Sequence, residues 1–538
     1  MDRSFYFKIF NLIWLLLCST LVLAEPPELT RLFPAGGCIG TTVQVTASGK
    51  FAAWPVQVAC QPAQLQWKAL EENGRFEVTI PPDAPSQIYL VRFYNADGSS
   101  NIKRFIVDDV QSQTEVEPNN LVRNGNTIES LPRQLFGVLQ KGGDVDAYLV
   151  TLKAGSTLVA TLDAQNLLKS PLDALLQVTD ERGNVVAENI DTHNLDPQVV
   201  YQAKQEGTYA VRVMGFPEAP DSTISFVGND NCQYRLTLTT GPHLESVFPS
   251  VIQLQQTANL KPIGIQIPDN LAAWNVTANH IGELNLNHPL STGQWAIAVV
   301  EHPVIAEPMS AETPAVSPPV AFCGVIDKPQ KQDTWLVQLE KDKTYRIETE
   351  SQRLGFALDP VVRILNSDGK EVQKVDESNG GRDPNFAWKA NATGPFKLVI
   401  EDAEGFSGPF HFYRIFIKEV EPQLKIQGTV DHVEGEIGKP IEVKLTVERL
   451  DGFSDTVEAE LIADPAHPLP SDSTLTSSVS EKDGDSSKEL KLTIQSSAAV
   501  SQAIRLQVRS KTDTTRLFPV TFGDEKSPNL WLTVTPPK

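Results

Sequence analysis

Glu115-Val116-Glu117-Pro118-Asn119-Asn120, followed by Gly143-Asp144-Val145-Asp146-Ala147-Tyr148, is the stretch whose reading decides how this chain folds. Pro118 fixes its own φ and pushes Glu117 away from helix, so the opening is expected to be extended. Residues two apart in an extended chain share a face, which lines up Glu115, Glu117 and Asn119, with Asn120 at the turn that follows. Asp144 and Asp146, also two apart, are the natural contributors from a second strand. A hard cation such as Ca²⁺ takes six to eight oxygens, and these carboxylates and amides are the right donor type. The alternative is a polar turn ahead of a strand, with the acids merely solvated.

The same residues carry a resemblance. Glu115 to Asn120, then Gly143 to Val150, an Asp196-Pro197, a Gly207-Thr208-Tyr209 and a closing Tyr234-Arg235-Leu236 resemble the bacterial pre-peptidase C-terminal domain. That family is a β-sandwich module of secreted proteins, often attached to proteases, and some members bind calcium through this acidic opening. The resemblance implies Glu115, Glu117, Asn119 and Asn120 as ligands, with Asp144 and Asp146 less firmly aligned. It is a resemblance to an accessory module, and no protease domain accompanies it.

Upstream, Arg3 and Lys8 precede an apolar run from Leu12 to Leu17, and Leu21 to Ala24 lead into Glu25-Pro26-Pro27. This is the pattern of a signal peptide over residues 1–24, so the protein is expected to be secreted, periplasmic or on the cell surface. The run is short for a membrane anchor, and no later stretch is apolar enough to span a bilayer. Leu16-Leu17-Cys18-Ser19 lacks the small residues that precede a lipoprotein cysteine, leaving lipidation as a minor alternative. With Lys plus Arg at 46 against Asp plus Glu at 67, the net charge of −21 argues against a nucleic-acid-binding surface. Of the five cysteines, four lie beyond residue 24, too few for a disulfide framework in 538 residues. Cys38 and Cys60 share a domain, where pairing is open; Cys232 and Cys323 read as buried thiols.

Alternating segments such as Arg75-Phe76-Glu77-Val78-Thr79-Ile80 make residues 25–110 a small β-sandwich. Its opening, Leu29-Thr30-Arg31-Leu32-Phe33-Pro34, resembles immunoglobulin-like domains of the TIG type. Two duplications follow. Leu29 to Pro34 recurs as Leu244-Glu245-Ser246-Val247-Phe248-Pro249, and Phe51-Ala52-Ala53-Trp54 as Leu271-Ala272-Ala273-Trp274. In the central unit Leu172-Asp173, Asp196-Pro197 and Tyr234-Arg235-Leu236 recur as Leu358-Asp359, Asp383-Pro384 and Tyr413-Arg414-Ile415. The expected order is therefore an upstream copy of the central module over 111–241 and a second TIG-like domain over 242–302. A Pro-rich linker follows over 303–319, then a degenerate downstream copy over 320–419 and a C-terminal immunoglobulin-like sandwich over 420–538. Ser471 to Lys488 reads as a solvated loop.

The two copies differ where it matters. No Glu-Pro-Asn-Asn opening precedes the downstream copy, and Lys331-Gln332-Asp333-Thr334-Trp335 stands where the upstream copy has Gly143 to Asp146. One acid of the cluster remains, so metal is expected upstream and none downstream.

Catalytic patterns are missing. The eight histidines are scattered with no H-E-x-x-H pair, and no G-x-S-x-G elbow occurs. Asp191 and Asp196 are paired carboxylates in a loop, where catalysis is the lesser reading. The chain is accordingly expected to be an all-β, non-enzymatic protein with a structural or adhesive role outside the cell, stiffened by Ca²⁺. Its partner would be an extracellular or cell-envelope protein or polysaccharide. The alternative is a polysaccharide- or protein-fibre-binding module associated with secreted hydrolases, with Trp54, Trp274, Trp335 or Trp388 stacking on sugar; buried core is the competing fate of each.

Overall fold

The computed structural model describes residues 25–218, 225–269, 274–288, 290–307, 314–378, 381–462 and 468–537. The expected signal peptide, the Leu271 to Ala273 landmark and residues 308–313 of the expected linker lie outside them. Within them the chain is tandem β-sandwiches, and no helix is long and apolar enough to cross a membrane.

The first sandwich packs a sheet of Glu28–Phe33, Thr42–Lys50, Arg75–Thr79 and Gln66–Ala69 on a sheet of Gly36–Cys38, Lys103–Asp108, Gln87–Tyr94 and Gln57–Gln61. Alternation in Arg75–Thr79 drives Phe76 and Val78 into the core, where they join Phe93 and Phe105. The third unit repeats this plan. Leu244 and Ser246 flank the same pairing irregularity as Leu29 and Arg31, and Val251–Gln253 runs parallel to Gln294–Val300 as Gly36–Cys38 does to Lys103–Asp108.

The duplicated central module is equally plain. One upstream sheet runs Ser112–Thr114, Arg133–Val138, Gln233–Thr239, Thr157–Asp163, Gln198–Gln202. Its downstream equivalent runs Val304–Ala306, Val320–Val325, Phe412–Glu419, Thr344–Glu350, Asn385–Lys389. In both, a three-residue strand from the preceding segment opens the sheet in parallel pairing. The facing sheets run Asp146–Leu152, Gly207–Pro217, Leu172–Thr179, Val185–Asn189 and Asp333–Leu339, Gly394–Asp402, Pro360–Leu365, Glu371–Val375; the upstream one adds Asn126–Thr127 at its edge.

Two expectations need correction, and the open question of Cys38 and Cys60 is answered. Part of the segment read as linker is sheet: Val304–Ala306 pairs with Val320–Val325, and Val316 bridges to Val337. Ser471 to Lys488 is not simply loop, because Thr474–Ser477 pairs with Glu489–Gln495 and Val479–Ser480 with Val457–Ile462. Cys38 and Cys60 are free thiols, as are the buried Cys232 and Cys323. Cys38 and Cys60 sit on the two outer strands of one four-stranded sheet, three strand spacings or about 14 Å apart, beyond disulfide reach.

The last sandwich gathers its core from Ile441–Leu450, Glu489–Gln495, Val500–Ser510 and Asn529–Thr535. It returns against the first sandwich: Arg92 meets Asp431 at 2.8 Å, Arg104 meets Glu525 at 2.7 Å, and Tyr94 packs on Trp531.

Candidate metal centre

The upstream site forms where the chain leaves the first sandwich and enters the second. Ser112–Thr114 pairs with Arg133–Val138, and the next residue extends that ladder: the Glu115 N–H donates to the Phe136 carbonyl at 3.0 Å. Glu115 Oε1 then accepts from the Val138 N–H at 2.9 Å. Gly137 lies between, and a side chain there would collide with the Tyr234 hydroxyl and approach Glu115 Oε2 to 2.7 Å. The glycine lets a buried tyrosine and a buried glutamate share one small space.

The rest of the acidic opening is held by its own polar residues. The Asn126 side chain receives the Val116 N–H and donates to the Val116 carbonyl, both at 2.7 Å. Asn124 donates to the Pro118 carbonyl at 2.8 Å, and Glu117 Oε2 accepts from the Asn119 N–H at 2.8 Å. The Ala147 N–H donates to the Asn119 carbonyl at 3.2 Å, which brings this turn against the second contributor. There Asp144 Oδ2 accepts from the Gln140 N–H and Oδ1 from the Asn120 amide. Asp146 opens the strand Asp146–Leu152, and its Oδ2 accepts from Tyr234, which in turn is bonded to Tyr148.

The structure thus brings together all six residues singled out from the sequence, in different postures. Glu117, Asp144 and Asp146 each present an oxygen within 4.8 Å of the others. Glu115, Asn119, Asp144 and Asp146 are buried, whereas Glu117 keeps contact with solvent. Asn120 turns its amide onto Asp144 and braces it.

What remains unmatched is informative. Glu115 Oε2, Asp146 Oδ1 and both side-chain atoms of Asn119 are buried without a hydrogen-bond partner. Buried polar groups are ordinarily satisfied, and orphaned ones cost about 1–3 kcal/mol each. Among the described residues Glu115 and Asp146 make no ion pair with a basic side chain. Burial, reinforced by Asp146, raises Glu115 far above the carboxylate range to about 10, and burial raises Asp146 to about 7. Ionised oxygens of Glu117, Asp144 and Asp146, within 4.8 Å of one another, would repel by about 3–4 kcal/mol per pair at an effective dielectric near 20. The donors are all oxygen, with no imidazole or thiolate, which fits a hard cation such as Ca²⁺ and not zinc.

The downstream copy shows the same framework differently filled. The Glu307 N–H donates to the Cys323 carbonyl at 3.2 Å, and Glu307 Oε2 accepts from the Val325 N–H at 3.1 Å, so Glu307 stands in the place of Glu115. Asp333 opens its strand as Asp146 does and accepts from Tyr413 at 2.8 Å; Tyr413 accepts from Trp335, the counterpart of Tyr148. Two positions before that aspartate, Lys331 replaces Asp144. More than one acid survives: Lys331 Nζ is 3.1 Å from Glu307, 3.1 Å from Asp333 and 3.2 Å from Asp327. Sequence reading missed Glu307 because it falls in a segment rich in Pro and Ala. The signal was Val304-Ile305-Ala306 running into Glu307-Pro308.

Other candidates have structural duties. Asp196 receives the N–H groups of Ala164, Gln165 and Asn166, and Asp383 those of Ser351, Gln352 and Arg353. Each aspartate is a backbone clamp, and Asp191 stays exposed. Trp335 is buried on Phe322, Trp54 donates to the Leu70 carbonyl and packs on Phe76, Trp388 packs on Phe396 and Trp274 on His288.

Residues 144–215 match the family model of the bacterial pre-peptidase C-terminal domain, an accessory, non-catalytic module. The match takes in Asp144 and Asp146 and ends inside the strand Gly207–Pro217. No curated protein matches the chain. Among solved structures, it is similar to tripeptidyl peptidase 2 at 8 % identity over 94 % of this chain and 39 % of that one, with a TM-score of 0.15. A structure of the M60 catalytic domain with the CBM51-1 and CBM51-2 domains of Clostridium perfringens ZmpB matches at 10 % identity over 73 % and 46 %, TM-score 0.14. A Dscam isoform matches at 9 % identity over 95 % and 98 %, TM-score 0.17. The chain therefore spans less than half the length of the first two.

Proposed function

We propose that this is an exported, non-enzymatic bacterial protein whose tandem β-sandwiches serve a structural or adhesive role at or beyond the cell surface, with Ca²⁺ stiffening the entry to the upstream central module. The observation that carries the reading is the set of buried oxygens on Glu115, Asn119 and Asp146 that no donor satisfies. An ion held there by Glu115, Glu117, Asn119, Asp144 and Asp146 would tie the segment leaving the first sandwich to the loop that starts the strand Asp146–Leu152. Such binding energy adds directly to folding energy and turns a pliable junction into a fixed one. Trp54 and Trp335 spend their indole N–H groups on internal partners, the rings of Trp274 and Trp388 pack on His288 and Phe396, and the Asp-Pro loops support backbone, which favours architecture over sugar binding or catalysis.

A calorimetric Ca²⁺ titration of the whole secreted chain, beside Asp146→Asn, tests this. One saturable site in the native chain that disappears in Asp146→Asn is expected. Absence of binding by the native chain would refute the calcium reading.

A further inference from the structure

We propose that Lys331 is a tethered cation occupying the place of the metal in the downstream copy. That module is then independent of Ca²⁺, and calcium control of the chain is confined to the upstream junction. The consequence for the site is that Lys331→Asp, which restores the acid found at Asp144, opens a divalent-cation site between Glu307, Asp327 and Asp333. The comparison with a metal upstream rests on the calcium reading above; the claim about Lys331 rests on the downstream geometry.

That geometry is a coordination shell. Lys331 Nζ lies 2.7 Å from the Val325 carbonyl, 3.1 and 3.3 Å from the two oxygens of Glu307, and 3.1 and 3.2 Å from Asp333 and Asp327. Five oxygens from four residues surround a group with only three N–H donors, so the ammonium acts as a central charge as much as a directional donor. Calcium–oxygen distances are about 2.3–2.6 Å, so the cage needs to contract by roughly half an ångström to hold an ion.

The frame around it is the upstream frame: Glu307 for Glu115, Asp333 for Asp146, Tyr413 for Tyr234, with Gly324 under the tyrosine hydroxyl as Gly137 is upstream. Charge agrees as well. With every carboxyl ionised, Glu115, Glu117, Asp144 and Asp146 around a divalent ion and Glu307, Asp327 and Asp333 around one ammonium would leave the same surplus of two negative charges. The downstream carboxylates of Glu307 and Asp333 have no orphaned oxygens, unlike Glu115 and Asp146.

The test is bound-calcium stoichiometry by equilibrium dialysis of the whole chain at millimolar Ca²⁺, in the native protein, Lys331→Asp, Asp146→Asn and the double variant. One, two, none and one ion are expected in that order. A folded Lys331→Asp chain that binds no more than its parent in either background overturns the proposal. If the native chain binds none and Lys331→Asp binds one, the upstream calcium reading fails and the role of Lys331 stands. Should Lys331→Asp not fold, Lys331→Met with and without Glu307→Gln decides: the melting temperature should fall in the single variant and recover in the double. A fall that Glu307→Gln does not relieve contradicts the tethered-cation account.

Discussion

The upstream and downstream copies share a strand order, a parallel entry strand, a glycine beneath a buried tyrosine, and an aspartate at the start of the same strand. They part in the opening, which upstream supplies Glu117, Asn119 and Asn120 and downstream does not, and at Asp144, which downstream is Lys331. The first copy gathers acids and leaves buried oxygens open, whereas the second closes the same space with its own ammonium group. The framework gathers buried carboxyls in both copies; downstream a covalently held ammonium faces them, and upstream the proposed Ca²⁺ would take that part.

The strongest way to probe what is shared is to remove the backbone clamps. Asp196→Ala and Asp383→Ala each strip an acceptor from three N–H groups, so each should destabilise its own copy by about 3 kcal/mol, irrespective of calcium. Denaturant unfolding of the whole chain reads both, and a calcium-sensitive loss at Asp383 would break the comparison. Lys331→Met should come next, costing about 2–3 kcal/mol, since uncompensated acids are left behind while the partly open site lets water soften the penalty. Chelation should cost the upstream copy about 2–3 kcal/mol relative to calcium at a hundred times its dissociation constant, and the downstream copy nothing.

Acidity sharpens the contrast further. Glu115 and Asp146 hold protons more tightly than free carboxylates, and calcium must displace those protons. Affinity should therefore weaken as the pH falls from 7 to 5. At pH 7, binding should release protons, seen as an apparent enthalpy that changes between buffers of different ionisation heat. Identical enthalpies in such buffers would place the ion elsewhere. The smallest effect is the one expected of the thiols: Cys38 and Cys60 are unpaired, so reductant should leave the melting temperature unchanged.

Much of this was legible in the residues. Period-two segments such as Arg75–Thr79 and Ile441–Leu450 announced half-buried strands, and the ordered matches around Asp196-Pro197 and Asp383-Pro384 announced the duplication. The six ligand candidates converged because Pro118 and the alternation of acids are local features. Glu307 was hidden because its strand is three residues long and its composition is that of a linker. Lys331 was hidden because a lysine near acids ordinarily faces solvent, and its distant partner Glu307 reaches it only through the parallel entry strand. Thr474–Ser477 escaped for a similar reason, being a polar edge strand with no apolar face to signal it.

Hydrogen–deuterium exchange of the intact chain with Ca²⁺ and with chelator tests the central claim most directly, because it reads both copies in one experiment. The account predicts that calcium slows exchange over residues 115–120 and 144–147 while leaving 307 and 325–333 unchanged. No change upstream, or equal protection in both copies, would contradict it.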